Sequence, residues 1–167
     1  MNKLVIKLTT SEYLQAGQVG LLRCVQNRSV DAQHKHGAEP KNAEQYSITG
    51  AVGEACVAKH LGVYWLGTGE LGGSDVGGYE VRTTTMDNVG ALMHKTDKED
   101  AVYIAVHALE GVGTIMGWYV GRDAIREEYW GNHFKKNPPR PCCLFPKDKL
   151  QPMSTLPPPT KCEDTQI

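Results

Sequence analysis

The sequence predicts an α/β fold in which a mixed central sheet is flanked by helices. Two segments in the first 65 residues place apolar side chains at helical spacing, and three later runs read as strands. With 167 residues, the chain is long enough to bury a core without disulfides or a metal ion. We therefore expect one domain over residues 1–150, followed by a proline-rich C-terminal tail over residues 151–167.

Both predicted helices lie in the N-terminal part of the chain. The first, over residues 11–28, is indicated by apolar residues at helical spacing: Tyr13, Leu14, Leu21, Leu22 and Val25. The second lies within residues 45–64, carries an apolar stripe and is expected to end at Gly62. The polar residues 27–43 predict a loop. Glu54 lies beside the apolar stripe, where a carboxylate costs free energy unless it is paired or bound to a cation.

The predicted strands follow a glycine-rich stretch. Residues 79–84 form the first strand, and residues 101–109 and 114–120 are expected to pair as a hairpin across a glycine-containing turn. A further helix is predicted over residues 121–130. From residue 137 onward, prolines predict a tail that either wraps the domain in extended form or stays disordered past about Met153. This tail is also a candidate ligand for a partner protein.

The octapeptide DVGGYEVR at residues 75–82 is the most informative motif. Asp75 precedes a Gly-Gly turn, and Glu80 and Arg82 lie two residues apart on the following strand, so both point to the same face. Two carboxylates and a cation around a tight turn form an arrangement that can hold a divalent metal ion.

The order of these features resembles the PD-(D/E)XK nuclease superfamily. A helix with Glu54 is followed by Asp75 and then by a strand with Glu80 and Arg82, which match the acidic positions and the lysine position of the signature. The segments EVRT and GWYVGR, at residues 80–83 and 117–122, also resemble small nuclease-like proteins encoded by bacteriophages. That resemblance implies a location in the cytoplasm of a host cell.

The resemblance implies a restriction-endonuclease-like core and metal-dependent hydrolysis of phosphodiester bonds in DNA. Mg²⁺ or Mn²⁺ would be bound by Glu54, Asp75, Glu80 and the carbonyl of Val81. Arg82 would join the three acids as a catalytic residue that contacts the phosphate or the attacking water. A divalent ion held by hard oxygen ligands supplies both a deprotonated water and charge stabilisation in such a reaction.

Arg82 departs from the family pattern, because arginine keeps its proton and is a poor general base. The alternative is therefore a catalytically impaired nuclease-fold protein that binds nucleic acid or a host protein, as an inhibitor or an assembly factor. Lys95 is either a solvated surface lysine or a catalytic lysine that has moved to a later segment.

A basic stretch near the C-terminus is the candidate nucleic-acid-binding surface. Trp130 and Phe134 lie near the basic residues of this stretch, and a solvated face is the competing interpretation. The basic residues are Lys135, Lys136, Arg140, Lys147 and Lys149. The formal net charge of −1 provides no global basic field, so nucleic acid would have to bind a local patch of this kind. DNA and RNA are not distinguished, and both a homodimer and a host-protein partner stay open.

The cysteine pattern and hydropathy predict a cytoplasmic protein. The five cysteines are odd in number and lack the spacing of a secreted disulfide framework. Adjacent Cys142 and Cys143 form no C-x2-C pair, so zinc binding is not expected. No export signal or membrane span is predicted.

Overall fold

Two helices cover one face of a four-stranded mixed sheet, and a three-stranded sheet covers the opposite face. The computed structural model describes residues 4–29, 42–67, 74–135 and 141–159. The strands are β1 (Leu4–Lys7), β2 (Glu80–Thr84), β3 (Val89–Met93), β4 (Val102–Leu109), β5 (Val112–Val120), β6 (Trp130–Gly131) and β7 (Cys142–Pro146). The helices are α1 (Thr10–Ser29), α2 (Ala43–Leu61) and the single turn α3 (Gly121–Ala124).

The main sheet has the strand order β1-β5-β4-β2. β4 and β5 form the predicted antiparallel hairpin, whereas β2 runs parallel to β4. The fold is therefore α/β with a mixed sheet, as the sequence predicts. β2 is the edge strand of this sheet, and within the described part of the chain no strand pairs with its outer side.

Alternation along the strands separates two cores. Ile104 and Val106 face the helices and pack in one core with Val57 of α2. Tyr103 and Ala105 face the other way, into a core shared with β3 and β7. The helices α1 and α2 thus lie on one face, and a second sheet covers the face opposite to them.

Two glycines allow α2 to approach its neighbours closely. A Cβ atom on Gly20 of α1 would lie 2.5 Å from the Cα of Ile48, so the two helix backbones are nearly in contact there. A Cβ atom on Gly53 would lie within 2.9 Å of the Thr83 side chain on β2. α2 ends, as predicted, at Gly62, which adopts the left-handed conformation with a φ of 67°.

Helix α1 is confirmed, but its apolar residues point outward. The residues whose spacing predicts the helix are exposed, whereas Ala16, Gly20 and Cys24 form its buried side. Small side chains on the buried side let α1 lie close to α2. The apolar periodicity therefore identifies the helix but not the face that packs on the core.

The prediction of a helix over residues 121–130 is wrong. Only α3 is helical, and a short 3₁₀ turn at Glu127–Tyr129 leads into β6, which pairs with β7. The Tyr129 ring packs edge-on against Phe145 of β7, with 5.6 Å between centroids. Packing against the second sheet thus overrides the local helical pattern.

β3 and β7 were not predicted, since prolines flank the short apolar run of β7.

The first part of the tail wraps the domain, which is one of the two predicted forms. Trp118 and Gln151 exchange backbone hydrogen bonds of 2.9 and 2.8 Å, and the Tyr79 hydroxyl donates to the Pro157 carbonyl at 2.8 Å. Met153 and Leu156 pack against the core on the helix side. Residues 151–157 are therefore bound by their own domain. Residues 160–167 lie outside the described part of the chain.

Within the described ranges, no helix combines the length and the apolar character needed to cross a membrane.

Candidate functional site at the free edge of β2

The GG turn folds Asp75 back alongside β2. Gly77 and Gly78 both have positive φ, at 54° and 90°, and Val76 and Tyr79 exchange backbone hydrogen bonds across the turn. The Oδ2 atom of Asp75 accepts the backbone N–H of Val81 at 2.8 Å. Asp75 therefore caps the outer edge of β2 at Val81. The family resemblance implies that the carbonyl of this same residue is a metal ligand.

Glu54 reaches this region from the helix side. It is buried on α2, and its carboxylate forms a two-point contact with Arg23 of α1, with Nη1–Oε1 and Nη2–Oε2 distances of 2.5 and 2.9 Å. The indole N–H of Trp65 also donates to Oε2, at 3.1 Å. Both carboxylate oxygens are thus occupied by hydrogen bonds, and the charge of Glu54 is balanced within the chain.

Glu54 and Asp75 lie close enough to influence each other electrostatically. The pKa of Asp75 is raised, first because the carboxyl group is buried and second because the negative charge of Glu54 is near. The Val81 N–H and the guanidinium groups of Arg82 and Arg23 act in the opposite direction. The structure therefore brings together two of the three acids that the resemblance groups in one metal site.

The third acid, Glu80, points to the other face of β2. Val81 packs in the helix-side core and Thr83 faces α2, so by alternation Glu80 and Arg82 face away from α2. On that face, Glu80 Oε1 accepts a hydrogen bond from the Lys98 ammonium group at 2.7 Å. The predicted same-face arrangement of Glu80 and Arg82 is correct, but that face is not the face that Glu54 occupies.

Arg82 is held by neighbours on its own face. Its Nη2 atom lies 3.2 Å from Asp97 Oδ1, and its guanidinium carbon lies 5.0 Å from the centroid of the Tyr103 ring. Nη1 also donates to the Val81 carbonyl at 3.4 Å. The guanidinium group is therefore near the strand edge, but it is engaged with an aspartate that the sequence motif does not include.

The donor set does not fit an octahedral Mg²⁺ in this arrangement. Mg²⁺ requires near-ideal oxygen coordination, usually through one or two carboxylates. At the edge, Oδ2 of Asp75 accepts the Val81 N–H, and both oxygens of Glu54 are occupied by hydrogen bonds from Arg23 and Trp65. Among the described residues, no group of three or more His, Cys, Asp or Glu side chains is placed to hold a metal ion.

Three residues that bind the predicted site residues could not be identified from the sequence. Arg23 lies 31 positions before Glu54, Lys98 lies 18 positions after Glu80, and Asp97 lies in the same connection as Lys98. No local spacing joins these residues to the motif. Lys95, by contrast, forms an ion pair with Glu127 and lies over the Trp130 ring, so its contacts are at the second sheet.

The predicted basic stretch is only partly described. Lys135, Lys147 and Lys149 are exposed, while Lys136 and Arg140 lie outside the described residues. Near Lys135 in sequence, an open cleft of about 390 Å³ is lined by Tyr129, Phe145, Arg126 and Lys149, among others. The Arg126 guanidinium in this cleft also contacts Asp123, at 3.0 Å.

We expect Asp75→Asn to be at least as stable as the wild type at neutral pH. Because the pKa of Asp75 is raised, the folded state binds this proton more tightly than the unfolded state does. Stability is therefore lost as the pH rises from about 4 through the raised pKa. Asparagine keeps an acceptor for the Val81 N–H without the charge. Thermal melts between about pH 4 and about pH 8 should show a smaller decline for Asp75→Asn than for the wild type.

The matched control for this experiment is Asp100→Asn. Asp100 is exposed and forms an ion pair with the exposed Arg122 side chain, so the change should stay within about 0.5 kcal/mol. If the stability of Asp75→Asn fell further below that of the wild type as the pH rose, the charge of Asp75 would be stabilising and the electrostatic interpretation would be overturned.

Comparison with protein-family models, curated proteins and solved structures finds no significant match to this chain.

Proposed function

We propose that this chain has a restriction-endonuclease-like core and acts by binding nucleic acid without hydrolysing it. The observation that supports this proposal is the pairing of its acids. Glu54 is neutralised by Arg23, and Glu80 by Lys98 on the other face of β2. A nuclease of the PD-(D/E)XK type needs these acids together around a metal ion and a lysine beside them. Arg82 in place of that lysine points in the same direction.

The cleft beside the second sheet supports nucleic acid as the ligand. Proteins that hold single strands combine cations, which track the phosphates, with aromatic rings, on which bases stack. The cleft offers Tyr129 and Phe145 as rings and Arg126 and Lys149 as cations. The ring of Tyr129 is partly exposed, whereas Phe145 is buried beneath it. A bound phosphate would replace Asp123 and Glu128, the two acidic partners of Arg126.

Metal-dependent hydrolysis of DNA is the second candidate, and one observation favours it. Glu54 is buried and Asp75 is half-buried close to it, and the negative charge of Glu54 contributes to the raised pKa of Asp75. A divalent cation between the two carboxylates would relieve this repulsion. For that to happen, Arg23 would have to release Glu54.

We expect Arg126→Ala to weaken binding of a labelled single-stranded oligonucleotide about 5-fold to 10-fold, because one phosphate contact is lost. The dependence of the logarithm of affinity on the logarithm of salt concentration should become less steep by about 1. Tyr129→Ala should weaken binding about 5-fold or more at every salt concentration, because a stacking platform is lost. Fluorescence anisotropy with DNA and RNA oligonucleotides in EDTA measures both effects.

Arg122→Ala is the matched control. Like Arg126, Arg122 is an exposed arginine that contacts an aspartate, but it does not line the cleft. It should change affinity less than about 2-fold. Equal losses in the two arginine variants, or no binding by the wild type, would contradict the proposal. Cleavage that requires Mg²⁺ or Mn²⁺ and disappears in Asp75→Asn would instead establish hydrolysis.

A further inference from the structure

Two aromatic side chains hold the first part of the C-terminal tail through its polar oxygens. The indole N–H of Trp118 donates to the Pro152 carbonyl at 3.1 Å and to Thr155 Oγ1 at 3.2 Å. The Tyr79 hydroxyl donates to the Pro157 carbonyl at 2.8 Å. In each contact the domain supplies a side-chain donor and the tail supplies the acceptor, so the two aromatic residues fix the path of the tail.

The bound segment has the conformation of a proline-rich ligand. Pro152 and Leu156, on either side of a 3₁₀ turn, have φ/ψ values of −69°/143° and −57°/120°, close to those of a polyproline II helix. Proline has no backbone N–H, so such segments offer their carbonyls to donors, and the domains that bind them do so in aromatic-lined grooves. Met153 and Leu156, three residues apart, are the apolar anchors of the segment and pack against the helix-side core.

β5 allows the tail backbone to approach closely at Gly117. This glycine has a φ of 145°, and a Cβ atom on it would collide with the carbonyl oxygen of Gln151. Next to it, Trp118 and Gln151 exchange two backbone hydrogen bonds. The backbone of β5 thus pairs with the tail at one end of the segment, and Tyr79 holds it at the other end.

The tail is attached without a fully buried side chain. From Gln151 to Pro159 every residue is at least partly exposed, whereas Leu150, immediately before, is buried. Segments with few buried apolar contacts open at a low free energy while the rest of the domain stays folded. Release of the tail would uncover the Trp118 indole and the Tyr79 hydroxyl and would remove the acceptors that the tail supplies to both.

We propose that the surface formed by Tyr79, Gly117 and Trp118, the tail groove, binds a proline-rich segment of another protein in competition with the chain's own tail. The ligand has the pattern of the tail, in which two prolines enclose two apolar anchors three positions apart. A second copy is the weaker candidate, because its tail offers the same contacts without the millimolar effective concentration that covalent attachment provides. A segment of another protein displaces the tail when its anchors fit better than Met153 and Leu156, which are only partly buried. The proposal does not depend on nucleic-acid binding.

Hydrogen exchange of the full chain, with a synthetic peptide of residues 150–159 as the probe, tests the proposal. Millimolar peptide should displace about half of the tails, because it then matches their effective concentration. The Gln151 amide donates to the Trp118 carbonyl in the bound tail, so it should exchange at least about 10-fold faster. A peptide with Thr155→Val lacks one acceptor of the indole N–H and should be needed at about 3-fold to 10-fold higher concentration.

A full-length variant with Met153→Ser and Leu156→Ser removes both anchors of the chain's own tail. It should bind the labelled peptide at least about 10-fold more tightly than the wild type does, because the competitor is weakened. Adding Trp118→Phe keeps a ring but removes the indole donor, and should weaken peptide binding about 5-fold or more.

Trp130→Phe is the matched control, because Trp130 is also a partly exposed tryptophan but lies on the second sheet, beneath Lys95. It should leave peptide binding unchanged, and circular dichroism should show that every variant is folded. Absence of peptide binding to both the wild type and the anchor variant, or binding that withstands Trp118→Phe, would overturn the proposal. A wild-type dimer that the peptide converts to monomers would identify the tail of a second copy as the occupant and would overturn it as well.

Discussion

Replacing Gly53 with alanine is expected to lower the free energy of unfolding by about 3 kcal/mol. The new Cβ atom would lie 1.9 Å from Thr83 Oγ1 and 2.9 Å from Thr83 Cβ. Rotation of the threonine side chain can move Oγ1 but not Cβ, so α2 and β2 would have to separate. For a domain of this size, the melting temperature should fall by about 6–12 °C, which calorimetry measures.

Gly50→Ala is the control, because it lies on the same helix and its Cβ would meet no atom within 4 Å. Alanine has the higher helix propensity, so this variant should be more stable by about 0.5–1 kcal/mol. The two substitutions are chemically identical, and opposite signs would isolate the contact with Thr83. Equal effects would show that α2 does not approach β2 as closely as described.

Features of the fold that depend on local sequence could be predicted. α2 is indicated by its apolar stripe and its terminal glycine, and the hairpin of β4 and β5 by alternation on both sides of a glycine-containing turn. The turn at Gly77 and Gly78 is likewise local, since a two-residue loop with positive φ at both positions selects glycine.

Features that depend on distant residues could not be predicted. β3 pairs with β7, which follows about 50 residues later. β6 also pairs with β7, so the residues after α3 join this sheet and do not continue as a helix. The face of α1 that packs inward carries Gly20, where the backbones of α1 and α2 approach closely, and not Leu14 or Leu21, which are exposed. Periodicity reports where apolar residues lie on a helix but not what covers them.

The candidate site shows the same division. The strand pattern correctly places Glu80 and Arg82 on one face, and the short turn brings Asp75 beside Val81. Whether that face also meets Glu54 depends on which side of β2 α2 packs against, and α2 packs on the side of Thr83, where Gly53 allows a close approach. The motif alone therefore cannot distinguish a three-acid metal site from acids that are divided between two faces of a strand.

Arg23→Met should be the most destabilising single substitution at the site, with a loss of about 3–5 kcal/mol in the free energy of unfolding. The side chains of Arg23 and Glu54 are 23% and 7% exposed, so removing the arginine leaves a carboxylate in a largely dry environment. The melting temperature should fall by about 6–20 °C. Arg122→Met, which removes an exposed arginine that contacts Asp100, should change stability by no more than about 0.5 kcal/mol.

The double variant Arg23→Met with Glu54→Gln should recover most of this loss, because the amide is neutral and still accepts the Trp65 N–H. A double variant no more stable than Arg23→Met would show that Arg23 stabilises the fold through packing rather than through the charge of Glu54.

The response of Arg23→Met to Mn²⁺ separates the two functional candidates. In the wild type Arg23 donates to both Glu54 oxygens, so millimolar Mn²⁺ should leave the melting temperature nearly unchanged. In Arg23→Met, Glu54 and Asp75 become two adjacent carboxylates without the arginine, and Mn²⁺ should stabilise the fold by about 1–3 kcal/mol. The response should disappear when Asp75→Asn is added. If Mn²⁺ stabilised the wild type as strongly as Arg23→Met, Arg23 would release Glu54 readily, and the chain would be equipped for metal-dependent hydrolysis rather than for binding alone.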